Sequence, residues 1–158
     1  MYLDYRKAFD SVPHQRLIYK LSTIGFQGKL LAWLSSFLSD RTMRVGVRGS
    51  YSTWFEMCSG VPQGSVLGPI LFLLYVNDLP DWIKCSMRMF ADDTKIWNVI
   101  KSDSDWSALQ MDIDVLVQWP NRWLLHFNSD KCKVMSLGHS VHHGPCKNPK
   151  DGEKRRKT

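Results

Sequence analysis

The chain has 158 residues, of which 44% are apolar, and its net charge is +6 at pH 7. This length allows one domain or a little more, and the basic balance favours a polyanionic partner. The longest apolar stretch, residues 66–76, is too short to cross a bilayer, and the four cysteines lack paired spacing. With no secretory signal at the start, we expect an intracellular protein that is not secreted, has reduced thiols and has no membrane partner.

The first forty residues predict one strand and two helices. Residues 1–5 are typical of a short strand, and Pro13 favours a turn over residues 7–13 because proline disfavours helix in the residue before it. Apolar residues then recur at helical spacing over residues 14–24 and over residues 29–38. We expect the aromatic residues of the second helix to lie in the core.

Basic and apolar residues alternate over residues 41–47, which predicts a strand with residues 51–57 as its hairpin partner. Arg41, Arg44 and Arg48 lie in or next to the first strand. Two interpretations of these arginines stay open. They line a groove for nucleic acid, or they belong to a solvated strand face.

A loop of glycine, proline and small polar residues, residues 59–65, leads into a predicted helix over residues 66–77. Two further strands are predicted over residues 87–90 and 94–99, where apolar residues alternate on both sides of an Asp-Asp doublet. These strands predict a hairpin with the doublet at its tip.

The last third of the chain predicts a long helix, a strand and a tail. Helical spacing runs over residues 104–127, and Pro120 inside this stretch predicts a kink or a break. Residues 131–137 predict a final strand. Residues 139–158 are basic and poor in apolar residues, so we expect a disordered tail. Its cluster at residues 154–157 is a candidate nuclear-localisation or phosphate-contacting patch, or a frayed terminus, and makes a nuclear location plausible.

Three carboxylates carry the strongest chemical signal. Asp92 and Asp93 are adjacent inside an apolar run, where burial of two unpaired charges is unfavourable, so we expect them at a hairpin tip facing a cation. Asp4 ends the first apolar strand. If the fold brings the three together, they suit divalent metal ions for phosphoryl transfer. Because the chain opens almost directly with a candidate ligand, we expect a fragment of a longer enzyme.

A zinc site is not predicted. The zinc-competent side chains near the C-terminus are Cys132, His139, His142, His143 and Cys146. No pair among them has the short spacing that is typical of structural zinc sites.

Four stretches follow one another in a characteristic order: residues 3–10, residues 59–69 with Pro-Gln-Gly, the Phe-Ala-Asp-Asp box at 90–93, and residues 123–132. Together they resemble the palm of reverse transcriptases, and more narrowly those of non-LTR (LINE-type, jockey-like) retrotransposons. The resemblance covers roughly residues 2–138. It implies an α+β palm, an antiparallel sheet with helices packed on one face, with fingers and thumb missing. The implied division is a partial palm domain over 1–138 and a tail over 139–158.

The resemblance also assigns catalytic roles. Asp4 and Asp92 correspond to the main ligands of two Mg²⁺ ions, for which Mn²⁺ is able to substitute, and Asp93 is the neighbouring carboxylate with a metal-binding or hairpin-orienting role. Lys131 lies where the family has a lysine proposed to protonate pyrophosphate. The alternative for Lys131 is a solvated surface lysine.

A second group of residues is implied to contact nucleotide and template. Pro62, Gln63 and Gly64 fall in the loop that meets the template–nucleotide base pair in the family. Phe9 falls where a bulky side chain excludes a ribose 2′-hydroxyl, although an ordinary core phenylalanine stays open. Asp10 looks catalytic but is better interpreted as a local hydrogen-bonding or capping residue.

The implied function is RNA-directed DNA polymerase activity, with two-metal nucleotidyl transfer from a dNTP to the 3′-hydroxyl of a DNA primer on an RNA template. The alternative is a catalytically inactive, truncated retrotransposon remnant that at most binds nucleic acid. Nothing in the sequence predicts an oligomeric state.

Overall fold

A computed structural model describes residues 1–138. The predicted tail over 139–158, with its histidines and basic cluster, lies outside the described residues. The strands are β1 (Tyr2–Leu3), β2 (Thr42–Met43), β3 (Gly46–Val47), β4 (Ser50–Tyr51), β5 (Phe55–Glu56), β6 (Ser86–Phe90) and β7 (Asp93–Trp97). The helices are α1 (His14–Thr23), α2 (Gly28–Leu38), α3 (Leu67–Val76) and α4 (Asp103–Trp123), with 3₁₀ turns at Ala8–Asp10 and Leu79–Trp82.

The chain divides into two compact units. Among the described residues, one unit is Lys7–Val76, and the other combines Met1–Arg6 with residues 77–138. Helices and antiparallel strands occur in both, so the predicted α+β class is confirmed at that level.

The second unit is built on a three-stranded antiparallel sheet in the order β1-β7-β6. Leu3 pairs with Thr94, and both side chains are buried together with Met87 and Ile96. Successive strand residues point to opposite faces, so the apolar alternation of this run is what selects its buried face. The predicted hairpin is therefore confirmed, with its strands starting one residue earlier than expected.

The other edge of β1 is covered by the chain after α4. Tyr2 and Lys133 exchange backbone hydrogen bonds of 2.7 and 3.1 Å, and Arg6 N–H donates to the His126 carbonyl at 2.8 Å. The prediction of a strand over residues 131–137 is wrong, because only Lys133 forms a bridge. The amides of residues 131 and 132 turn back to Asn128 instead, and the residues after 133 lack a buried face.

α4 packs its apolar stripe in this unit. Asp105 accepts a 2.9 Å hydrogen bond from Ser102 N–H at the start of the helix, which satisfies an amide that has no partner within the helix. Trp119 is fully buried and lies 6.4 Å from the ring of Tyr5. The helix ends at Trp123, before the predicted end at residue 127, and Pro120 falls in its last turn.

The Lys7–Val76 unit contains α1, α2 and α3, and α3 buries Leu71, Phe72 and Tyr75. The expectation that the aromatic residues of α2 lie in the core is wrong for Trp33, which is 53% exposed and stacks on Phe37. The buried stripe of α2 is narrow because Leu34 and Leu38, one turn apart, form it alone.

Two expectations about class can be compared with this structure. Among residues 1–138, no helix is long and apolar enough to span a membrane. Cys58, Cys85 and Cys132 are free thiols, and Cys146 lies outside the described residues.

Candidate active site

The pairing of β1 with β7 brings the predicted carboxylates to one end of a sheet. Leu3 pairs with Thr94, so Asp4 leaves β1 at the end of the sheet where Asp93 begins β7. These residues are 89 positions apart in the chain, and the β1–β7 ladder brings them to the same sheet end. The carboxylates of Asp4 and Asp93 repel each other. Strand pairing in the sheet therefore has to hold them at the same sheet end.

The Asp-Asp doublet is at a hairpin tip, as predicted. Phe90 pairs with Asp93, which leaves Ala91 and Asp92 as the two-residue turn between β6 and β7. Ala91 has φ of +52°, a left-handed conformation that alanine rarely adopts and that is often retained at functional sites. Asp92 is half-buried and Asp93 is exposed, so the two carboxylates have different surroundings.

Asp4 has an incompletely satisfied carboxylate. Its Oδ1 atom is buried and accepts no hydrogen bond from the described residues. The Nζ atom of Lys131 lies 3.8 Å from this oxygen, but the lysine side chain is 67% exposed, so the ion pair is weak. A buried carboxylate oxygen without a donor is suited to a hard divalent cation.

Tyr5 supports the end of β1 next to Asp4. Its ring is buried and stacks on Phe127 at 4.8 Å. Burial raises the pKa of the Tyr5 hydroxyl, the nearby Thr94 side chain opposes this, and the charges of Asp78 and Asp92 raise the pKa further. The buried, stacked ring of Tyr5 therefore anchors the backbone directly after Asp4.

Sequence reasoning missed the contact of Cys132 with Asp4. The thiol is buried, and burial raises its pKa, with the Asp4 charge adding to the effect and a hydrogen bond from the Asp4 backbone opposing it. Asn128 N–H also donates to the Asp4 carbonyl at 2.7 Å. The segment after α4 therefore fixes the backbone that carries Asp4. The family resemblance at residues 123–132 was the sequence signal that linked this segment to the site.

A complete three-ligand metal cluster is not formed in the described structure. Within residues 1–138, no group of three or more His, Cys, Asp or Glu side chains lies close enough to hold a metal ion. The donors that fit divalent cations are Asp4, with its unsatisfied oxygen, and the doublet at the hairpin tip. The assignment of Asp4, Asp92 and Asp93 as metal ligands stays a prediction.

The predicted nucleotide-contacting residues belong to the Lys7–Val76 unit, where the loop after β5 packs on the Ala8–Asp10 turn. Val61 N–H donates to the Phe9 carbonyl at 2.7 Å, and Gly60 N–H donates to Val12 at 2.8 Å. A Cβ atom on Gly60 would lie 2.8 Å from the Asp10 backbone, and its φ is +86°. Glycine is therefore required here by both space and conformation.

Gln63 is held by Asp10, for which the sequence predicted only a local hydrogen-bonding or capping role. Its Nε2 atom donates to Asp10 Oδ1 at 2.7 Å, so Asp10 acts across the loop and not locally. Gly64 follows with φ of +83° and open space around its Cα. Pro62 accepts a 2.6 Å hydrogen bond from the Ser65 hydroxyl, which closes the turn into α3.

Phe9 is half-buried, and its ring lies 4.6 Å from that of Phe72 on α3. This contact agrees with an ordinary packing role and leaves part of the ring exposed. The predicted role of Phe9 against a ribose hydroxyl stays a prediction.

The loop has two anchors that the sequence did not reveal. The carbonyl of Gly60 accepts from His14 Nε2 and from the Arg41 guanidinium, each at 2.8 Å. Arg41 also donates to the Leu38 carbonyl, and partial burial lowers its pKa. Arg41 therefore has a structural task, which separates it from the other arginines of the hairpin.

Comparison with known proteins decides the family. The family model described as reverse transcriptase (RNA-dependent DNA polymerase) matches residues 1–155. The chain belongs to the reverse transcriptase family. The resemblance seen in the four sequence stretches is thus confirmed, and the family match continues past Gly138.

Two relatives illustrate the kinship of this reverse transcriptase domain. The RNA-directed DNA polymerase from mobile element jockey of Drosophila melanogaster is 36% identical over 154 residues, 92% of this chain and 16% of the relative. The probable RNA-directed DNA polymerase from transposon BS of the same species is 36% identical over 140 residues, 83% of this chain and 15% of the relative. The chain spans about a sixth of the length of these curated relatives.

Family membership carries general expectations about chemistry. Reverse transcriptases use divalent metal ions and act on a nucleic-acid template and primer with dNTPs. RNA-directed DNA polymerase is the activity that the names of these two relatives give them.

Proposed function

We propose that this chain is the palm of an RNA-directed DNA polymerase and catalyses two-metal nucleotidyl transfer from a dNTP to a primer 3′-hydroxyl. The observation that carries the proposal is the β1–β7 ladder, which makes Asp4 and the Asp92-Asp93 tip neighbours at one sheet end. A palm arrangement of an antiparallel sheet and helices over residues 1–138 is part of the same proposal.

Asp4 and Asp92 would hold two Mg²⁺ ions through carboxylate oxygens, the type of donor that Mg²⁺ prefers. When bound, the ions supply charge neutralisation for the attacking and leaving oxygens. Asp4 Oδ1 accepts no hydrogen bond from the described residues, so it is available to a cation. The two-residue turn between β6 and β7 fixes the backbone position of Asp92. Asp93 adds negative charge from the exposed face of β7.

Lys131 has the exposed ammonium group next to Asp4 and would give its proton to the leaving pyrophosphate. Its long ion pair with Asp4 leaves the side chain free enough to turn towards a phosphate. Asp4 would in that event keep its oxygen for the cation.

The loop of the Lys7–Val76 unit that carries Pro62, Gln63 and Gly64 would contact nucleotide and template, as the family resemblance implies. Asp10 orients the Gln63 amide, whose remaining donor and acceptor would form hydrogen bonds with a sugar or a base edge. Gly64 has no side chain, so the nucleotide could approach its backbone closely. Phe9 would exclude a ribose 2′-hydroxyl with the exposed part of its ring. An RNA template and a DNA primer are the nucleic-acid partners in this proposal.

Primer extension tests the activity. The full chain is assayed with an RNA template, a DNA primer, all four dNTPs and Mg²⁺, beside Asp92→Asn and the control Asp81→Asn, which replaces an exposed carboxylate after α3. We expect extension by the wild type and by Asp81→Asn and none by Asp92→Asn. Folded wild-type protein that extends no primer would instead support the alternative, an inactive remnant.

A second readout tests the metal site without catalysis. Fe²⁺ that replaces Mg²⁺ cleaves nearby backbone in the presence of ascorbate and peroxide, and mass spectrometry locates the cuts. We expect cuts around residues 4 and 91–93 that disappear with excess Mg²⁺ and in Asp4→Asn. Cleavage scattered over the chain would contradict the metal assignment.

A further inference from the structure

The hairpin between α2 and the Gly60 loop carries an exposed cluster of aromatic rings and a cation. The guanidinium carbon of Arg44 lies 4.0 Å from the ring centroid of Tyr51 and 4.6 Å from that of Trp54. Both aromatic side chains are more than 60% exposed, at 63% and 61%. Large aromatic rings held in solvent mark an interaction surface.

A β-bulge brings these rings together. β2 pairs with β5 in one register and β3 pairs with β4 in a register shifted by one residue, so residues 44–45 lie opposite residues 52–54. Tyr51 and Trp54 are three positions apart and would lie on opposite faces of a regular strand. The extra residue resets the alternation, and both rings contact Arg44.

The rings are also held in place before any partner binds. Tyr51 pairs with Gly46, and a Cβ atom on Gly46 would come within 2.8 Å of the Tyr51 ring. The ring therefore lies directly over the glycine backbone, a packing that fixes its orientation. A preformed stacking platform loses less conformational entropy on binding than a mobile one.

The charge of this face is not neutralised internally. Among residues 1–138, neither Arg44 nor Arg48 forms an ion pair with a carboxylate. Arg48 is at the hairpin tip with φ of +49°, followed by Gly49 at +83°. Both central residues of the turn are thus left-handed, as a type I′ turn requires, although arginine is an unusual choice there.

We propose that the aromatic–arginine face, defined by Arg44, Arg48, Tyr51 and Trp54, binds single-stranded nucleic acid. Bases would stack on the two rings, and the guanidinium groups would contact phosphates. Charge complementarity argues for this occupant, because the face and the whole chain, at +6, are basic. Exposed bases of a single strand offer the π-faces that a duplex keeps stacked. The inference stands independently of polymerase activity.

Binding is measured by fluorescence anisotropy with the full chain, a labelled dT 15-mer or U 15-mer, and a blunt duplex of equal length, without metal ion or dNTP. We expect Trp54→Ala to weaken single-strand binding roughly 5- to 150-fold, the range that removal of one stacked base gives. Phe55→Ala is the matched control, since it removes the neighbouring aromatic side chain on the opposite face. We expect it to change the affinity less than about twofold.

Arg48→Asn separates binding from folding. Asparagine suits the left-handed turn position better than arginine, so the hairpin should be at least as stable. Loss of one phosphate contact should nevertheless lower the slope of log affinity against log salt by about 0.7. Weaker binding from a variant that melts no earlier than the wild type would support the proposal directly.

Three outcomes would overturn it. In the first, Trp54→Ala and Phe55→Ala change the single-strand affinity equally. In the second, the duplex binds as tightly as the single strands, and no hairpin variant changes either affinity. In the third, sedimentation shows self-association that Trp54→Ala abolishes, which makes the face a protein interface. None of these outcomes depends on primer extension, so the failure of this proposal and that of the polymerase proposal are distinguishable.

Discussion

Gln63 donates a 2.7 Å hydrogen bond from its side-chain amide to the carboxylate of Asp10, 53 positions earlier in the chain. The Ser59 hydroxyl donates a second hydrogen bond, of 2.8 Å, to the backbone carbonyl of Asp10. Asp10 is therefore a positioning residue for the loop that carries Gln63. A hydrogen bond to a charged acceptor fixes an amide more firmly than one to a neutral acceptor.

A double-mutant cycle tests this relationship. We expect Asp10→Ala and Gln63→Ala to be coupled by about 0.5–1.5 kcal/mol in the free energy of unfolding, measured by urea denaturation, because each change removes the same hydrogen bond. The control cycle combines Asp10→Ala with Gln27→Ala, an amide with no bond to Asp10 among the described residues. That cycle should be additive within about 0.5 kcal/mol. If the free energies of unfolding are additive in both cycles, Asp10 does not position Gln63.

Two glycines of the same loop should respond differently to alanine. In Gly60→Ala the new Cβ meets the Asp10 backbone at 2.8 Å, whereas in Gly64→Ala nothing lies within 4 Å. Both have positive φ, so both variants lose about 1 kcal/mol from backbone strain. Gly60→Ala should lose more than about 2 kcal/mol in total, because backbone cannot move aside like a flexible side chain. Equal loss in urea denaturation would contradict the close packing of loop and turn.

Much of the fold was predictable where periodicity and burial agree. The boundaries of α1 and α2 and the hairpin of β6 and β7 follow from apolar spacing, which decides which face an element buries. The predicted strand at residues 131–137 failed because a single apolar run does not reveal whether an edge partner is available. Tertiary pairing decided that segment.

The candidate site was predictable in its residue types but not in its contacts. The carboxylates Asp4 and Asp92 could be named from local sequence, yet the partner of Asp10 and the thiol beside Asp4 come from distant segments. The bulge that joins Tyr51 to Trp54 depends on one extra residue, and strand alternation alone predicts the opposite faces. Such one-residue register changes have no compositional signal.

Cys85 should be the less reactive of two accessible thiols. Burial raises its pKa to about 12, and a hydrogen bond and the charge of Asp112 raise it as well. Asp112 is itself buried and accepts from the Lys84 and Cys85 amides at 3.1 and 2.6 Å. At pH 8, iodoacetamide followed by mass spectrometry should modify the exposed Cys58 well before Cys85. Asp112→Asn should lower the pKa of Cys85 and speed its alkylation; an unchanged rate would contradict the coupling.

The same thiol predicts a loss of stability in alkali. The folded pKa of Cys85, about 12, exceeds the ordinary value of 9.0, so above pH 9 the unfolded chain loses a proton that the folded chain keeps. The stabilising contribution is complete below the unfolded pKa and is lost as pH rises through the folded pKa. Urea denaturation at several pH values should show this decline from 9.0 towards 12. The decline should be shallower in Cys85→Ala, and an identical slope would assign it to other groups.

Asp4 should limit the stability of the metal-free chain. Its Oδ1 atom is buried without a hydrogen-bond donor among the described residues, and its ion pair with Lys131 is long at 3.8 Å. Asp4→Asn removes the charge at nearly constant volume, so we expect the free energy of unfolding in EDTA to rise by about 1 kcal/mol. Asp93→Asn is the control, because that carboxylate is exposed, and it should change stability by less than about 0.5 kcal/mol.

Mg²⁺ should reduce the difference in stability between Asp4→Asn and the wild type. A cation that binds only the folded chain stabilises it by mass action, so millimolar Mg²⁺ should raise the melting temperature of the wild type and leave that of Asp4→Asn unchanged. The variant would then be more stable than the wild type in EDTA, and its advantage would shrink as Mg²⁺ is added. If Asp4→Asn destabilises the chain in EDTA, the buried oxygen of Asp4 has a structural partner and is not available to bind a cation. If Mg²⁺ stabilises both proteins equally, the cation binds elsewhere.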